Sequence, residues 1–207
     1  MQFHEFDSYD DYLEAQKALT RRKIGKGRLY LCTTTDALDV VVAHHINNER
    51  LPLTHAICHG VRAGHELRYF KEKFGRGEWL GTEIVEELCD GKEVVWADFS
   101  EFRSEWVRKF DFIYSNSLDH SNDPLFTLKM WMHQLSEDGR MYVEWTGWHD
   151  MLGRKGNKAD CFAGTEDDYR YLMRQVGEIE AVLLSQDVGG KRPQLRKIFV
   201  VKHKSGT

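Results

Sequence analysis

Long apolar runs are missing from this chain of 207 residues. No stretch approaches the ~20 consecutive apolar residues that a bilayer span needs, and the N-terminus, MQFHEFDSYDDY, has no basic region followed by an apolar block. Neither a membrane segment nor a secretory leader is expected, which makes a cytoplasmic protein the natural reading. Cysteine is sparse: Cys32, Cys58, Cys89 and Cys161 lie far apart without a CxxC pair, which removes zinc knuckles and thioredoxin-like redox chemistry. Cys32 and Cys58 fall in apolar runs, where thiols usually serve as packing residues. An excess of positive charge is also lacking. The net charge is −4 with acids and bases interspersed, which argues against affinity for nucleic acid or anionic membranes. The one basic run, Arg21, Arg22, Lys23, Lys26 and Arg28, reads as a solvated face or loop in preference to a phosphate-binding patch. Repeats, low-complexity tracts and a dividing linker are absent as well. One domain over residues 1–207 is therefore expected, with 1–53 as an N-terminal helical extension or lid and 54–207 as the core.

What the chain does contain is clearest over residues 54–84, THAICHGVRAGHELRYFKEKFGRGEWLGTEI. A short apolar run, His55 to Cys58, meets a sharp Gly60; Leu67, Phe70 and Phe74 then recur at helical spacing, and Glu78 to Ile84 forms a second compact run. This is a βαβ unit. Gly60 and Gly64 bracket its turn, where a missing Cβ permits positive φ and close approach of a ligand, and the helix that follows directs unpaired N–H groups at that ligand. Glu83 follows Gly60 by 23 residues, near the end of the second strand, where a doubly wound fold places the carboxylate that binds a ribose. A nucleoside ligand is implied. In the pattern GxGxxG counted from Gly60, however, the later glycines would fall at Arg62 and His65. A pyrophosphate would meet side chains there, which disfavours NAD or FAD.

The flanks fit one α/β domain. Tyr12, Leu13, Ala15, Ala18 and Leu19 mark a helix from Tyr9 to about Lys23, capped by Asp7 or Ser8. LYLC reads as a short extended segment, and Thr35 or Asp36 begins a second helix that Pro52 stops. Beyond Glu83, Val85 to Leu88 reads as a short helix and VVWADF (94–99) as a third strand. A helix starting near Ser100 carries Phe102, Trp106 and Val107. FDFIYSNSLDH (110–120) is a strand that opens into polar residues. A helix follows with Asp123 as N-cap and Pro124 in its first turn, carrying Leu125 to Leu135 and stopping near Asp138 and Gly139, and RMYVEW is the next strand. Residues 146–165 read as a polar loop at the carboxyl edge of the sheet. A helix from Glu166 and two strands, EAVLLSQDV and RKIFVVKH, close the chain.

Two of these blocks, the turn with Gly60, Gly64 and Glu83 and the segment from FDFIYSNSLDH through the D-G-R to RMYVEW, resemble class I S-adenosylmethionine-dependent methyltransferases in the right order. Cys58 stands where that family usually carries an acid on its first strand. The resemblance implies a Rossmann-like doubly wound, seven-stranded mixed sheet of order 3-2-1-4-5-7-6 with an antiparallel last strand. It implies S-adenosyl-L-methionine as cofactor, bound through His59, Gly60, Val61, Gly64, Glu83, Ile84, Asp98, Phe99 and Asn116. In this scheme Asp98 takes the adenine amine, although it could equally cap the helix after it, and His59 meets the methionine tail.

Methyl transfer from a sulfonium is an in-line displacement that asks chiefly for alignment and dryness. A histidine near the methyl group can serve as base, and His120 and His149 are the candidates. No metal site is expected: His55 and His59, at i and i+4 on a strand, would stand about 13 Å apart. Trp145, Trp148, Phe162 and Tyr169 could wall an apolar acceptor pocket, or belong to the core. A small-molecule O- or N-acceptor and a monomer or homodimer are expected. The alternative is a catalytically silent domain of the same fold that binds a nucleoside or a partner protein; an NAD oxidoreductase is disfavoured by the missing glycines.

Overall fold

The computed structural model describes residues 1–24, 33–48, 52–147, 160–186 and 195–204. Its elements in chain order are β1 (Gln2–Phe3), α1 (Tyr9–Ile24), α2 (Thr35–Asn47), β2 (His55–His59), α3 (His65–Phe74), β3 (Glu78–Glu83), β4 (Val94–Trp96), β5 (Phe110–Ser115), α4 (Pro124–Gln134), β6 (Leu135–Thr146), β7 (Phe162–Ala163), α5 (Glu166–Val176), β8 (Glu178–Gln186) and β9 (Leu195–Lys202). Seven strands form one sheet in the order β4-β3-β2-β5-β6-β9-β8. Numbered within that sheet alone, this is the expected 3-2-1-4-5-7-6. β9 runs antiparallel to both β6 and β8, while β2, β3, β4, β5 and β6 are mutually parallel.

The sheet is buried on both faces, as parallel sheets must be. Ile57, Ile113, Met141, Val143 and Phe199 pack against Leu128 and Trp131 of α4 and Tyr169 and Met173 of α5. The opposite face carries Ala56, Cys58, Phe112, Tyr114, Tyr142 and Val200 against Leu38 and Val41 of α2 and Leu67 and Phe70 of α3. Cys58 is thus a core thiol, and α2 is a packing helix. α1 lies at the carboxyl edge. A two-stranded ladder of β1 and β7, which the sequence pattern did not suggest, ties the N-terminus there, together with an ion pair from the Met1 amine to Asp168 Oδ2 at 2.8 Å.

Several boundaries differ from the sequence reading for local reasons. α4 ends at Gln134, and β6 begins at once because Leu135, wholly buried, pairs with Phe110 across a register shift. The helix expected after Ser100 is only a 3-10 turn, Ser104–Trp106, with Phe102 and Val107 left exposed. Thr34, one residue before the expected cap, closes the N-terminus of α2 by accepting the Ala37 N–H. α5 begins with a reciprocal capping box between Thr165 and Asp168. The LYLC segment and the turn joining β8 to β9 lie outside the described residues.

Gly60 holds this arrangement at one point. Its φ is +74°, and a Cβ there would stand 2.8 Å from the Ser117 Cβ. Gly60→Ala should therefore lower unfolding free energy by about 1–3 kcal/mol through backbone strain and push apart the loops after β2 and β5. Urea unfolding monitored by tryptophan fluorescence checks this, and an unchanged midpoint would mean the contact is soft.

Candidate active site

The polypeptide leaves β2 at Gly60 and returns to the sheet through α3. The Gly60 and Val61 N–H groups both donate to the Thr82 carbonyl, at 3.1 and 3.0 Å, so the turn is pinned to β3. Arg62 follows with φ +46°, a left-handed conformation uncommon outside glycine. Gly64, at φ +68°, is the N-cap of α3.

Glu83 ends β3 with 4% of its surface exposed. Its Oε1 accepts the Ile84 and Val85 N–H groups at 2.9 and 3.0 Å. Burial raises its carboxyl pKa, and those N–H donors together with Arg62 oppose the shift. Just beyond β4, Asp98 is also buried. Its Oδ1 accepts the Ser100 N–H at 2.7 Å, so it does cap the turn after it, and its Oδ2 accepts the Tyr9 hydroxyl of α1 at 2.6 Å. Burial and then the Asp98 carboxylate push the Tyr9 phenol well above its usual range.

These features enclose a cleft of about 500 Å³, open mouth included, at the carboxyl edge of the sheet. Gly60, Arg62, Thr82, Glu83, Ile84, Ala97, Asp98 and Phe99 line its base, Ser117 and His120 one wall, and Tyr12, Gln16, Leu19 and Thr20 of α1 the cover. His120 lies in the 3-10 turn Leu118–His120 after β5. Its Nε2 stands 3.9 Å from Asp119 Oδ2; burial lowers its pKa while Asp119 acts in the opposite sense.

Of the residues singled out from sequence, Gly60, Glu83, Ile84, Asp98, Phe99 and His120 come together in this cleft. Four others do not line it. Val61 turns its side chain over Gly81, Gly64 serves the helix start, and Asn116 accepts the Ser117 hydroxyl at 3.0 Å. The fourth, His59, points the opposite way from the expectation: its ring is in the core, stacked on Trp131 at 5.0 Å, with Nδ1 at 3.1 Å from Thr82 Oγ1 and Nε2 at 2.9 Å from Gln134 Oε1. Only its main chain borders the turn. Phe162 and Tyr169 are likewise core residues, wholly buried and stacked at 5.4 Å, while the Trp145 Nε1–H donates to the Gly164 carbonyl at 2.9 Å. His149 and Trp148 lie outside the described residues. The cover was missed by residue. Tyr12, Gln16 and Leu19 share one face of α1, and a glutamine on an otherwise apolar stripe was the available signal.

No protein-family model and no curated protein matches this chain, but solved structures do. The 1,6-didemethyltoxoflavin-N1-methyltransferase of Burkholderia thailandensis, determined with 1,6-didemethyltoxoflavin and S-adenosylhomocysteine bound, superposes with a TM-score of 0.72 at 14% identity over 96% of this chain and 92% of that one. The plantazolicin methyltransferase BpumL, solved with a triazolic desmethyl analogue and S-adenosylhomocysteine, gives 0.65 at 14% identity over 93% and 97%. An S-adenosylmethionine-dependent methyltransferase of Clostridium acetobutylicum gives 0.63 at 13% over 90% and 97%. At such identities the likeness speaks for the fold, and the fold is that of the class I S-adenosylmethionine-dependent methyltransferases.

The placement of His59 has a direct consequence. Burial pushes its pKa from 6.5 down to about 3, so the folded ring stays neutral while an unfolded one would take up a proton below pH 6.5. Its ring proton resonance should show no inflection between about pH 5 and 8. An inflection near the ordinary histidine value would mean that water reaches the ring and that the stacked arrangement is wrong.

Proposed function

We propose that this protein is an S-adenosyl-L-methionine-dependent methyltransferase acting on a small-molecule O- or N-acceptor. One observation carries the reading: Glu83 and Asp98, at the ends of neighbouring parallel strands, face one cleft beside the Gly60 turn. Two buried carboxylates at that separation along the sheet edge suit the two polar ends of adenosine. Glu83 would accept from the ribose hydroxyls and Asp98 from the exocyclic amine of adenine, with Phe99 supplying an apolar flank. The cofactors of the neighbours with bound S-adenosylhomocysteine support the same assignment, and their small-molecule ligands support the acceptor class.

In this reading α1 is the cover of the site, residues 1–53 are its lid region and 54–207 the catalytic core. His120 is the side chain on the acceptor side of the cleft, and His149 remains a candidate base from sequence alone. The chemistry asked of the protein is alignment of acceptor, methyl carbon and sulfur, and exclusion of water. A cytoplasmic location agrees with the thiols of Cys58, Cys89 and Cys161 being free, and among the described residues no helix is long and apolar enough to cross a membrane. We take the protein to work as a monomer or homodimer.

A second reading, a domain of this fold that binds a nucleoside without methyl transfer, draws on Arg62. Its guanidinium-bearing side chain lines the cleft at a position where a second glycine would give the ligand more room, and Cys58 leaves the first strand without its acid.

Calorimetric titration with S-adenosylhomocysteine should give saturable binding, and Glu83→Ala should weaken it at least about tenfold, the loss expected of a hydrogen-bonded charged group. Unchanged affinity in that variant would remove the ribose assignment. Binding without turnover across a panel of small hydroxyl and amine acceptors would favour the second reading.

A further inference from the structure

An acid in the first turn of α3 is buried without the partners that such burial normally demands. Glu66 is 7% exposed, yet among the described residues its carboxylate has its own main-chain N–H as a hydrogen-bond donor and no side-chain donor. The contrast is with Glu144, which accepts the Thr33 and Tyr114 hydroxyls and pairs with Arg196. Taking a carboxylate out of water with so little in return is costly. Burial accordingly pushes the Glu66 carboxyl from 4.5 up to about 7, against the opposing pull of Arg62 and Arg68.

The groups that feel Glu66 fix where it stands. Arg62 acts on it from the turn, Arg68 from α3 and Glu144 from β6, and Arg62 also lines the cleft. Burial and then Glu66 push up the Cys58 thiol of β2; after burial and Glu144, Glu66 also helps to hold the Tyr114 phenol of β5 high. Cys58 and Tyr114 face each other on neighbouring strands, and Cys58 precedes Gly60 by two residues. Glu66 therefore stands behind the Gly60 turn, at the carboxyl ends of β2 and β5. Along the sheet edge the order is Asp98 after β4, Glu83 on β3, then Cys58 and Glu66 at β2, with strands about 4.8 Å apart. An S-adenosyl ligand with adenine at Asp98 and ribose at Glu83 carries its amino-acid tail onward across the Gly60 turn, toward Glu66. That tail bears a primary ammonium.

We propose that Glu66 accepts the α-ammonium of the cofactor's amino-acid tail, supplying from α3 the acid that Cys58 does not supply from β2. This role rests on the methyltransferase reading above. The ammonium gives the buried carboxylate a charged donor at short range, and the pair forms only when Glu66 is ionised. Recognition of the tail therefore strengthens as pH rises through the pKa of the free carboxyl and is lost as pH falls below it.

Wild-type protein and Glu66→Gln are titrated calorimetrically with S-adenosylhomocysteine and with 5′-methylthioadenosine, which keeps the nucleoside and thioether but lacks the amino-acid tail. At about pH 8 the substitution should weaken S-adenosylhomocysteine at least about tenfold and leave methylthioadenosine within about twofold. The wild type alone gives a second readout that needs no variant to fold. Relative to methylthioadenosine, its affinity for S-adenosylhomocysteine should drop about tenfold between about pH 8 and pH 6, as a carboxyl ionising near 7 requires. Unchanged S-adenosylhomocysteine affinity in the variant, equal weakening of both ligands, or one pH profile common to both overturns the role of Glu66 and leaves the methyltransferase reading standing. Binding of neither ligand to the wild type sinks that reading and this role with it.

Discussion

The loops after the two central parallel strands touch, and the position of every other group in the cleft follows from that contact. β2 and β5 are neighbours, with Cys58 opposite Tyr114 and His59 opposite Ser115. After β2 the chain builds β3 and β4 on one side, and it returns through β5 to build the rest on the other. A crevice at that reversal is a geometric consequence of the topology. Its floor is closed by small residues: Gly60 lies against Ser117, the Ser115 hydroxyl donates to the His59 carbonyl at 3.2 Å, and the Ser117 N–H donates to the Ser115 hydroxyl at 3.1 Å. A larger residue at either position would lift the two loops apart and carry Glu83 and His120 with them.

Polar groups beneath this edge make it stiff. On one face His59 links Thr82 of β3 to Gln134 at the end of α4, and the Trp131 Nε1–H holds the Phe99 carbonyl at 2.9 Å. The strand ends that form the cleft base are thereby fastened to α4. On the other face Glu144, 1% exposed, accepts the hydroxyls of Thr33 and Tyr114, each at 2.7 Å, and pairs with Arg196. A buried carboxylate is tolerable only when so fully engaged. Here it also joins the start of α2 to β5, β6 and β9.

The architecture was legible because its signals are periodic and redundant. Apolar strand runs, helix caps and the Gly60 turn each point to the same doubly wound sheet. The carboxylates Glu83 and Asp98 were legible because they sit at strand ends, where spacing alone orients them toward the edge. Side-chain direction was not legible at His59, since a residue next to a turn can face the crevice or the core and only the partners Thr82, Gln134 and Trp131 decide. Long-range meetings were also hidden. Nothing local predicts that Tyr9 reaches Asp98, that β1 pairs with β7, or that Asp160 approaches Asp119 and His120. Leu135 was assigned to the helix by its apolar periodicity, and strand pairing with Phe110 overrode that preference.

Asp98 binds α1 and, on the methyltransferase reading, adenine through the same carboxylate, which constrains how the two events combine. A carboxylate has about four lone-pair directions, and Ser100 and Tyr9 occupy one on each oxygen. An adenine amine approaching from the cleft must either take one of the remaining lone-pair directions or displace the Tyr9 hydroxyl. Displacement forfeits one charge-assisted hydrogen bond, worth about 1.5–3 kcal/mol net, and the incoming amine replaces most of that. α1 would not come away with it, because other contacts hold the same segment: the Met1 amine on Asp168, the β1–β7 ladder and the Gln16 amide on the Cys161 sulfur at 3.0 Å. The cover is thus fastened away from the carboxylate that the ligand needs, so a nucleoside can claim Asp98 while Tyr12, Gln16 and Leu19 remain above it.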